Sequence, residues 1–309
     1  MMKGKINKGI LLLIIQTVII IILIGIVITL ALRGPKVEEY VAADSNRIYS
    51  FFTGSEFIEL DDYTYGKIQI PVLTNVPLHT YDYTNLNSSG KYFQYTENGA
   101  VTSKTGIDVS YHQGEIDWGK VAADGIDFVM IRVGYRGYET GNITIDKNFQ
   151  QYINGASAAG LDVGVYFYSQ ALNAEEAKDE ADAVIKAVSS YKITYPVVFD
   201  WEISGQETAR TADVSVSDVT DAAIAFCDTV AEAGYIPMIY SVKKCALMKM
   251  DLSRLAGYHF WVAEYKDKPT YPYDFKMWQY ASDGYVDGIN GNVDLNISFV
   301  DYSKMKELQ

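Results

Sequence analysis

Cysteine and histidine are scarce in this chain of 309 residues, with two of the first and three of the second. Two cysteines do not make a disulfide framework, although a bridge would be permitted outside the cell. Cys227 falls in a helical run and Cys245 just past the following strand, so both read as core thiols. His79, His112 and His259 lie far apart without metal-ligand spacing, and no metal or cofactor site is legible. There is no Gly-x-Ser-x-Gly elbow and no Cys–His pair at workable positions, which argues against serine and thiol hydrolysis. The turn Gly134-Tyr135-Arg136-Gly137-Tyr138 carries glycines but no phosphate-binding pattern, and is expected at the rim of a cleft.

Positive charge is the next shortage: 26 Lys and Arg stand against 39 Asp and Glu. Setting aside Lys3, Lys5 and Lys8 leaves 23 against 39, a net charge of −16 on the rest of the chain. Phosphate binding needs basic patches, so nucleic acid is excluded as a partner. Loose adsorption to anionic wall polymers is disfavoured for the same reason.

One long uncharged run is present. Ile10–Leu32 comprises 23 residues, mostly Ile and Leu. At ~1.5 Å per residue a helix of that length is roughly 35 Å long, enough to cross a ~30 Å hydrocarbon core with some tilt. The three lysines before it favour a cytoplasmic N-terminus and an extracellular remainder. A cleaved signal peptide, giving a secreted protein, is the competing reading, with Thr29-Leu30-Ala31 a weak cleavage site. The expected organisation is a cytoplasmic tail (1–9), a transmembrane helix (10–32), a stalk or small β-rich spacer (33–104) and a barrel domain (105–309). In the spacer, residues 66–73 and 91–95 read as strands, and Asn98-Gly99 as a hairpin turn.

From Gly106 apolar strands alternate with amphipathic helices. Strands are expected at 106–110, 128–135, 162–170, 196–202, 236–241, 259–265, 276–281 and 293–299. Helices are expected at 118–124, 147–159, 174–191, 217–233 and 243–250. Asn173 and Ser217 look like helix starts, and Gly160 and Gly234 look like helix ends. The fold class is α/β, a modified TIM-like barrel with five β/α units plus three further strands. The last three strands are joined too closely for full crossover helices, so some of their pairings are expected to be antiparallel.

Tyr195-Pro196-Val197-Val198-Phe199-Asp200-Trp201-Glu202 reads as a buried strand ending in two acids. Side chains two apart share a face, with Cα atoms about 6.5–7 Å apart, so Asp200 and Glu202 point together. Such a pair repels and pushes one member toward its protonated form, as a glycosidase requires. A strand end running into solvent would look the same. Strand ends elsewhere decide between the two, because catalytic side chains of a barrel come from there. They carry Asp108, Tyr166 with Tyr168, Gln279 and Asp294, and several acids from separated segments would meet at one mouth. Phe199 and Trp201 alternate to the opposite face, toward the helices. Glu264 also ends a strand and reads as a structural cap or outer-cleft residue. Four tryptophans and 25 tyrosines suit sugar stacking, though so many tyrosines would also fall near a cleft by chance.

The stretch Gly106–Trp118 resembles the opening of the glycoside hydrolase family 25 lysozymes, the Chalaropsis or cellosyl type. Phe128–Gly134, Gly164–Ser169, Pro196–Glu202, Trp278–Tyr280 and Gly288–Asn296 follow that family's later blocks in order, over roughly 105–302. The resemblance implies hydrolysis of the β-1,4 bond between N-acetylmuramic acid and N-acetylglucosamine in peptidoglycan, without a cofactor. It implies Glu202 as general acid, Asp200 as its partner and Asp108 and Asp294 as further active-site acids. Tyr166 or Tyr168 would line the sugar site, with Gln279 and Tyr135 as further substrate-binding candidates. The implied partners are peptidoglycan glycan strands, and the bacterial membrane through the N-terminal helix; no wall-binding repeats are found. Two alternatives stay open: a catalytically silent wall-binding ectodomain, and a hydrolase of another N-acetylated glycan such as chitin. Asp200 is expected to assist through the substrate's own N-acetyl group, with conventional inversion by a water as the alternative, so the outcome at the anomeric carbon stays open.

Overall fold

The computed structural model describes residues 57–62, 65–206 and 208–305. The expected transmembrane helix at 10–32, its cytoplasmic tail and the start of the spacer lie outside the described residues. Among the described residues no helix is long and apolar enough to cross a membrane.

The chain divides into two compact units, one ending at Val72 and the other running from Leu73 to the end. Within the first, β1 (Phe57–Asp62) and β2 (Gly66–Pro71) form an antiparallel hairpin. In the second, β3 (Leu86–Ser89), β4 (Tyr92–Glu97) and β5 (Ala100–Val101) make a small antiparallel sheet. The Asn98-Gly99 turn joins β4 to β5 with φ of 50° and 79°, the left-handed pair that a tight hairpin needs.

The barrel is built from β6 (Lys104–Val109), β7 (Phe128–Arg136), β9 (Asp162–Ser169), β10 (Val197–Trp201), β11 (Pro237–Val242), β12 (His259–Ala263), β13 (Met277–Gly284) and β14 (Val293–Ser298), with β8 (Ile143–Ile145) hairpinned onto β7. Around the ring the order is β6-β14-β13-β12-β11-β10-β9-β7, and β7 pairs back to β6 to close it. Helices α1 (Trp118–Ala123), α2 (Phe149–Ala158), α3 (Ala174–Val188), α4 (Val216–Glu232) and α5 (Lys243–Lys249) follow the first five barrel strands. Short α6 (Leu252–Leu255) and α7 (Tyr302–Met305) were not expected from the sequence, and neither was β8.

Pairings β13–β14 and β14–β6 are antiparallel, whereas β12–β13 stays parallel. The segment 264–276 makes that last crossover without a helix. Glu264 anchors it, accepting from Thr270 N at 2.6 Å and facing Lys243 Nζ at 3.3 Å, so the side chain is structural. Asn173 caps α3 by accepting from Glu176 N at 3.0 Å. Ser215, rather than Ser217, caps α4, accepting from Asp218 N at 3.1 Å. Gly160 and Gly234 terminate α2 and α4 with φ of 80° and 82°.

Residues 73–103 pack on the barrel, so the compact unit starts earlier than residue 105. Phe93 meets Trp278 and Tyr280 at 5.3 and 4.9 Å between ring centroids, and Tyr81 stacks on Phe299 at 4.1 Å. The aromatic residues of the segment expected to be a stalk or spacer are the glue of this contact. Inside the barrel Phe128, Met130, Tyr195, Val198, Met238, Trp261 and Met277 form one buried cluster, sealed at the strands' N-terminal end by Tyr302 of α7. The opposite end is left open for polar side chains.

Candidate active site

Strand alternation and register together decide which side chains reach the open end. Asp108 on β6 pairs directly with Asp294 on β14, and Asn296 on β14 pairs with Gln279 on β13. Asp200 on β10 pairs with Tyr168 on β9 and Tyr240 on β11. Side chains paired across a strand share a face, so these groups converge.

They line a cavity of ≈ 310 Å³. Asp108, Asp200, Glu202 and Asp294 face it, with Tyr166, Tyr168 and Gln279. Tyr135 is not among its lining residues. A register shift in β7 between Arg132 and Gly134 precedes it, and its ring lies against the Arg132 guanidinium at 5.4 Å. Phe199 and Trp201 point outward as alternation requires: Phe199 packs on Phe226 of α4, and Trp201 Nε1 donates to Ala171 O at 3.3 Å.

Burial governs the electrostatics. It drives the Asp200 carboxyl well above the usual range, and the neighbouring Glu202 and Asp108 charges push the same way. Glu202 is raised too, first by burial, while its hydrogen bond with Asp200 pulls it back. Both carboxyls are raised, so the pair shares a proton across its hydrogen bond. Asp294 is pushed up to about 9 by burial, the Asp108 charge and its hydrogen bond to Asp108. Asp108 is raised by burial and held down by hydrogen bonds from Asn296, Gln279 and Asp294. Tyr166 and Tyr168 are shifted upward, chiefly by burial, and stay neutral donors.

Several residues escaped the sequence reading: Arg132, Tyr240 and Tyr265 line the cavity, and Asn296, outside the lining, hydrogen-bonds to Asp108. Alternation could have found most of them. Arg132 continues the inward row Phe128–Met130, Tyr240 continues Met238, and Asn296 is two residues from Asp294. Arg132 is already engaged, its Nε donating to Asp146 Oδ2 at 2.9 Å and its guanidinium 5.0 Å from the Tyr111 ring. Cys227 and Cys245 are free and buried. Among the described residues no group of His, Cys, Asp and Glu is placed to hold a metal ion. A larger hollow of ≈ 620 Å³ near the strands' N-terminal ends pairs its own charges, Lys104 with Asp127 and Lys304 with Asp301.

A closed β/α barrel whose open end gathers buried, proton-sharing carboxylates is the architecture of a glycoside hydrolase. Residues 107–289 match the family model described as glycosyl hydrolases family 25. The chain belongs to that family. It is 26% identical over 192 residues to an autolytic lysozyme of Clostridium acetobutylicum, covering 62% of this chain and 54% of that one. The solved modular autolysin LytC of Streptococcus pneumoniae is 25% identical with a TM-score of 0.56, covering 78% of this chain and 56% of that one. A family 25 glycosyl hydrolase from Bacillus anthracis shares the fold at 20% identity and a TM-score of 0.54, covering 71% of this chain and 99% of that one. The chain thus spans little more than half the length of the first two relatives.

Proposed function

We propose that this protein hydrolyses the β-1,4 bond between N-acetylmuramic acid and N-acetylglucosamine in peptidoglycan. The observation that carries the reading is the hydrogen-bonded Asp200–Glu202 pair in a carboxylate-lined cavity of a family 25 barrel. The Clostridium relative is named an autolytic lysozyme, and the pneumococcal autolysin has been solved with a synthetic peptidoglycan ligand.

In this reading the shared proton is the first mover. Asp200 Oδ1 is buried and accepts no hydrogen bond from the protein. An incoming acetamido N–H satisfies that oxygen and favours the ionised form of Asp200. The proton then crosses the hydrogen bond to Glu202, which donates it to the leaving glycosidic oxygen. The acetamido oxygen, oriented through its N–H on Asp200, attacks the anomeric carbon. Glu202, now ionised, takes a proton from the water that opens the intermediate. Net retention follows from two displacements at the same carbon. Tyr166 and Tyr168 serve as neutral donors along the sugar, and the ionised Asp108 offsets positive charge developing at the anomeric centre.

Residues 10–32 would hold the enzyme at the outer face of the membrane, raising its concentration near the wall. The test is mass spectrometry of fragments released from purified peptidoglycan, with chitin oligomers in parallel. Fragments ending in reducing N-acetylmuramic acid are expected from the wild type, and none from Glu202→Gln. Cleavage of chitin alone, or wild-type turnover by the variant, would end the proposal.

A further inference from the structure

Asp108 sits at the centre of a hydrogen-bond fan that leaves little freedom over which acid carries charge. Its Oδ2 accepts from Gln279 Nε2 at 2.8 Å and from Asn296 Nδ2 at 2.8 Å. An amide can be turned either way round, and at Asn296 a donor-only partner decides which. Trp261 Nε1 donates to Asn296 Oδ1 at 2.9 Å, and an indole N–H can only donate, so the Asn296 NH2 must face Asp108. Tyr240 and Tyr265 hydroxyls donate to Gln279 Oε1 at 3.0 and 2.9 Å in the orientation that turns its NH2 toward Asp108. Gln279 is 3% exposed and its carbonyl oxygen is occupied from two sides. One of its two N–H donors is thereby given to Asp108.

Two N–H donors on one oxygen suit a carboxylate and oppose protonation there. Asp294, directly opposite on β14, lacks a comparable donor set and is hydrogen-bonded to Asp108. We infer that Gln279 and Asn296, held by Tyr240, Tyr265 and Trp261, are positioning residues that keep Asp108 ionised and leave Asp294 its neutral hydrogen-bond donor. The site then has one permanent charge with a fixed address. That charge faces Asp200 and Glu202, where it helps retain the proton that the reaction needs. The functional consequence rests on the hydrolase reading; the charge assignment itself does not.

The test separates the two. The full chain, with aspartate labelled by carbon-13 at the carboxyl carbon, is titrated by NMR without substrate, using Asp108→Asn and Asp294→Asn to assign the signals. At pH 7 the Asp108 signal is expected at the carboxylate position and the Asp294 signal at the protonated one. Gln279→Met and Asn296→Leu should each raise the Asp108 titration by about one pH unit, the size expected for losing one donor to a charged acceptor. Tyr265→Phe, whose side chain is half-exposed, should move it the same way by less, and serves where the amide variants do not fold. An ionised Asp294 in the wild type, or an unmoved Asp108 titration in folded variants, overturns the inference. Turnover adds a second arm. Asp294→Asn keeps a neutral donor in place and should retain about a tenth of wild-type activity or more, whereas Asp108→Asn should lose about a hundredfold or more. Equal losses would also overturn it. A wild type that cleaves no glycan defeats the hydrolase reading and leaves the titration result to stand on its own.

Discussion

Arg210 grips Glu176 with both guanidinium arms, Nη1 to Oε2 at 2.9 Å and Nη2 to Oε1 at 2.6 Å. The same Nη1 donates to Gln170 O at 3.2 Å, and Arg210 N donates to Tyr138 O at 2.9 Å. This clamp ties the loop that begins at Glu202 to α3 and to the β7–β8 hairpin. Arg210→Met is expected to lower the unfolding free energy by about 2 kcal/mol, discounting a partly exposed pair from the cost of breaking a buried one. It should also lower kcat/KM by roughly tenfold, because Glu202 loses its fixed approach. Denaturant titration and fragment-release kinetics measure the two effects. Arg210→Lys should restore only part of either, since an ammonium cannot reproduce the two-armed contact.

Gly106 allows Phe128 to plug the barrel beneath Asp108. A methyl group at 106 would lie 2.2 Å from the Phe128 ring, which is fully buried. Gly106→Ala is therefore expected to cost about 1–3 kcal/mol by overpacking. Adding Phe128→Leu should recover much of that loss, and a double-mutant cycle by thermal unfolding quantifies the coupling. Additive losses would show that the methyl is accommodated by backbone movement instead.

The sequence carried the barrel because its signals are local. Asp108, Asp200, Glu202 and Asp294 sit on short apolar strands whose alternation fixes their common face, and each strand is delimited by caps and glycines. Two things were hidden. Tyr135 follows a register shift in β7 that no spacing rule anticipates, and that shift sets it opposite Tyr168, on a face that plain alternation from Arg132 would have denied it. The packing of Tyr81, Phe93 and Tyr95 onto the barrel depends on partners some two hundred residues away, which left 73–104 looking like a spacer.

Glu180 is fully buried beside Arg136, whose Nε donates to it at 2.6 Å, yet burial outweighs that partner and pushes the carboxyl up to about 7. The folded state thus holds a proton that the unfolded chain releases near pH 4.5. Stability must fall as pH rises from about 4.5 to 7, by on the order of 3 kcal/mol from this group, and level off above. Asp200, Glu202 and Asp294 are raised too and act with the same sign. Glu176 and Glu264 are held down by Arg210 and Thr270, so stability is lost again in acid. The thermal midpoint should peak near pH 5. Glu180→Gln, which mimics the protonated side chain, should flatten the decline between pH 5 and 7, and an unchanged slope would remove Glu180 as its source.

Asp200 and Glu202 are expected to fail differently when neutralised. Glu202→Gln removes the donor to the leaving oxygen and should lower kcat by about 10³-fold or more. Asp200→Asn can still hydrogen-bond to Glu202 but can neither pass it a proton nor hold an acetamido N–H as an ionised acceptor. Its kcat should fall by about 10²-fold with little change in KM, since the loss concerns orientation in the transition state. The substrate supplies the complementary test. Glycan from which the N-acetyl groups of the muramic residues have been removed lacks the internal nucleophile, and the wild-type enzyme should cleave it at least about 10²-fold more slowly than native glycan. In Asp200→Asn that discrimination should shrink, because the acetamido group is no longer oriented. If wild type cleaves both glycans at equal rates, the acetamido group is not the nucleophile, and the first anomer seen by proton NMR then separates direct attack by water (inverted) from attack by a carboxylate (retained).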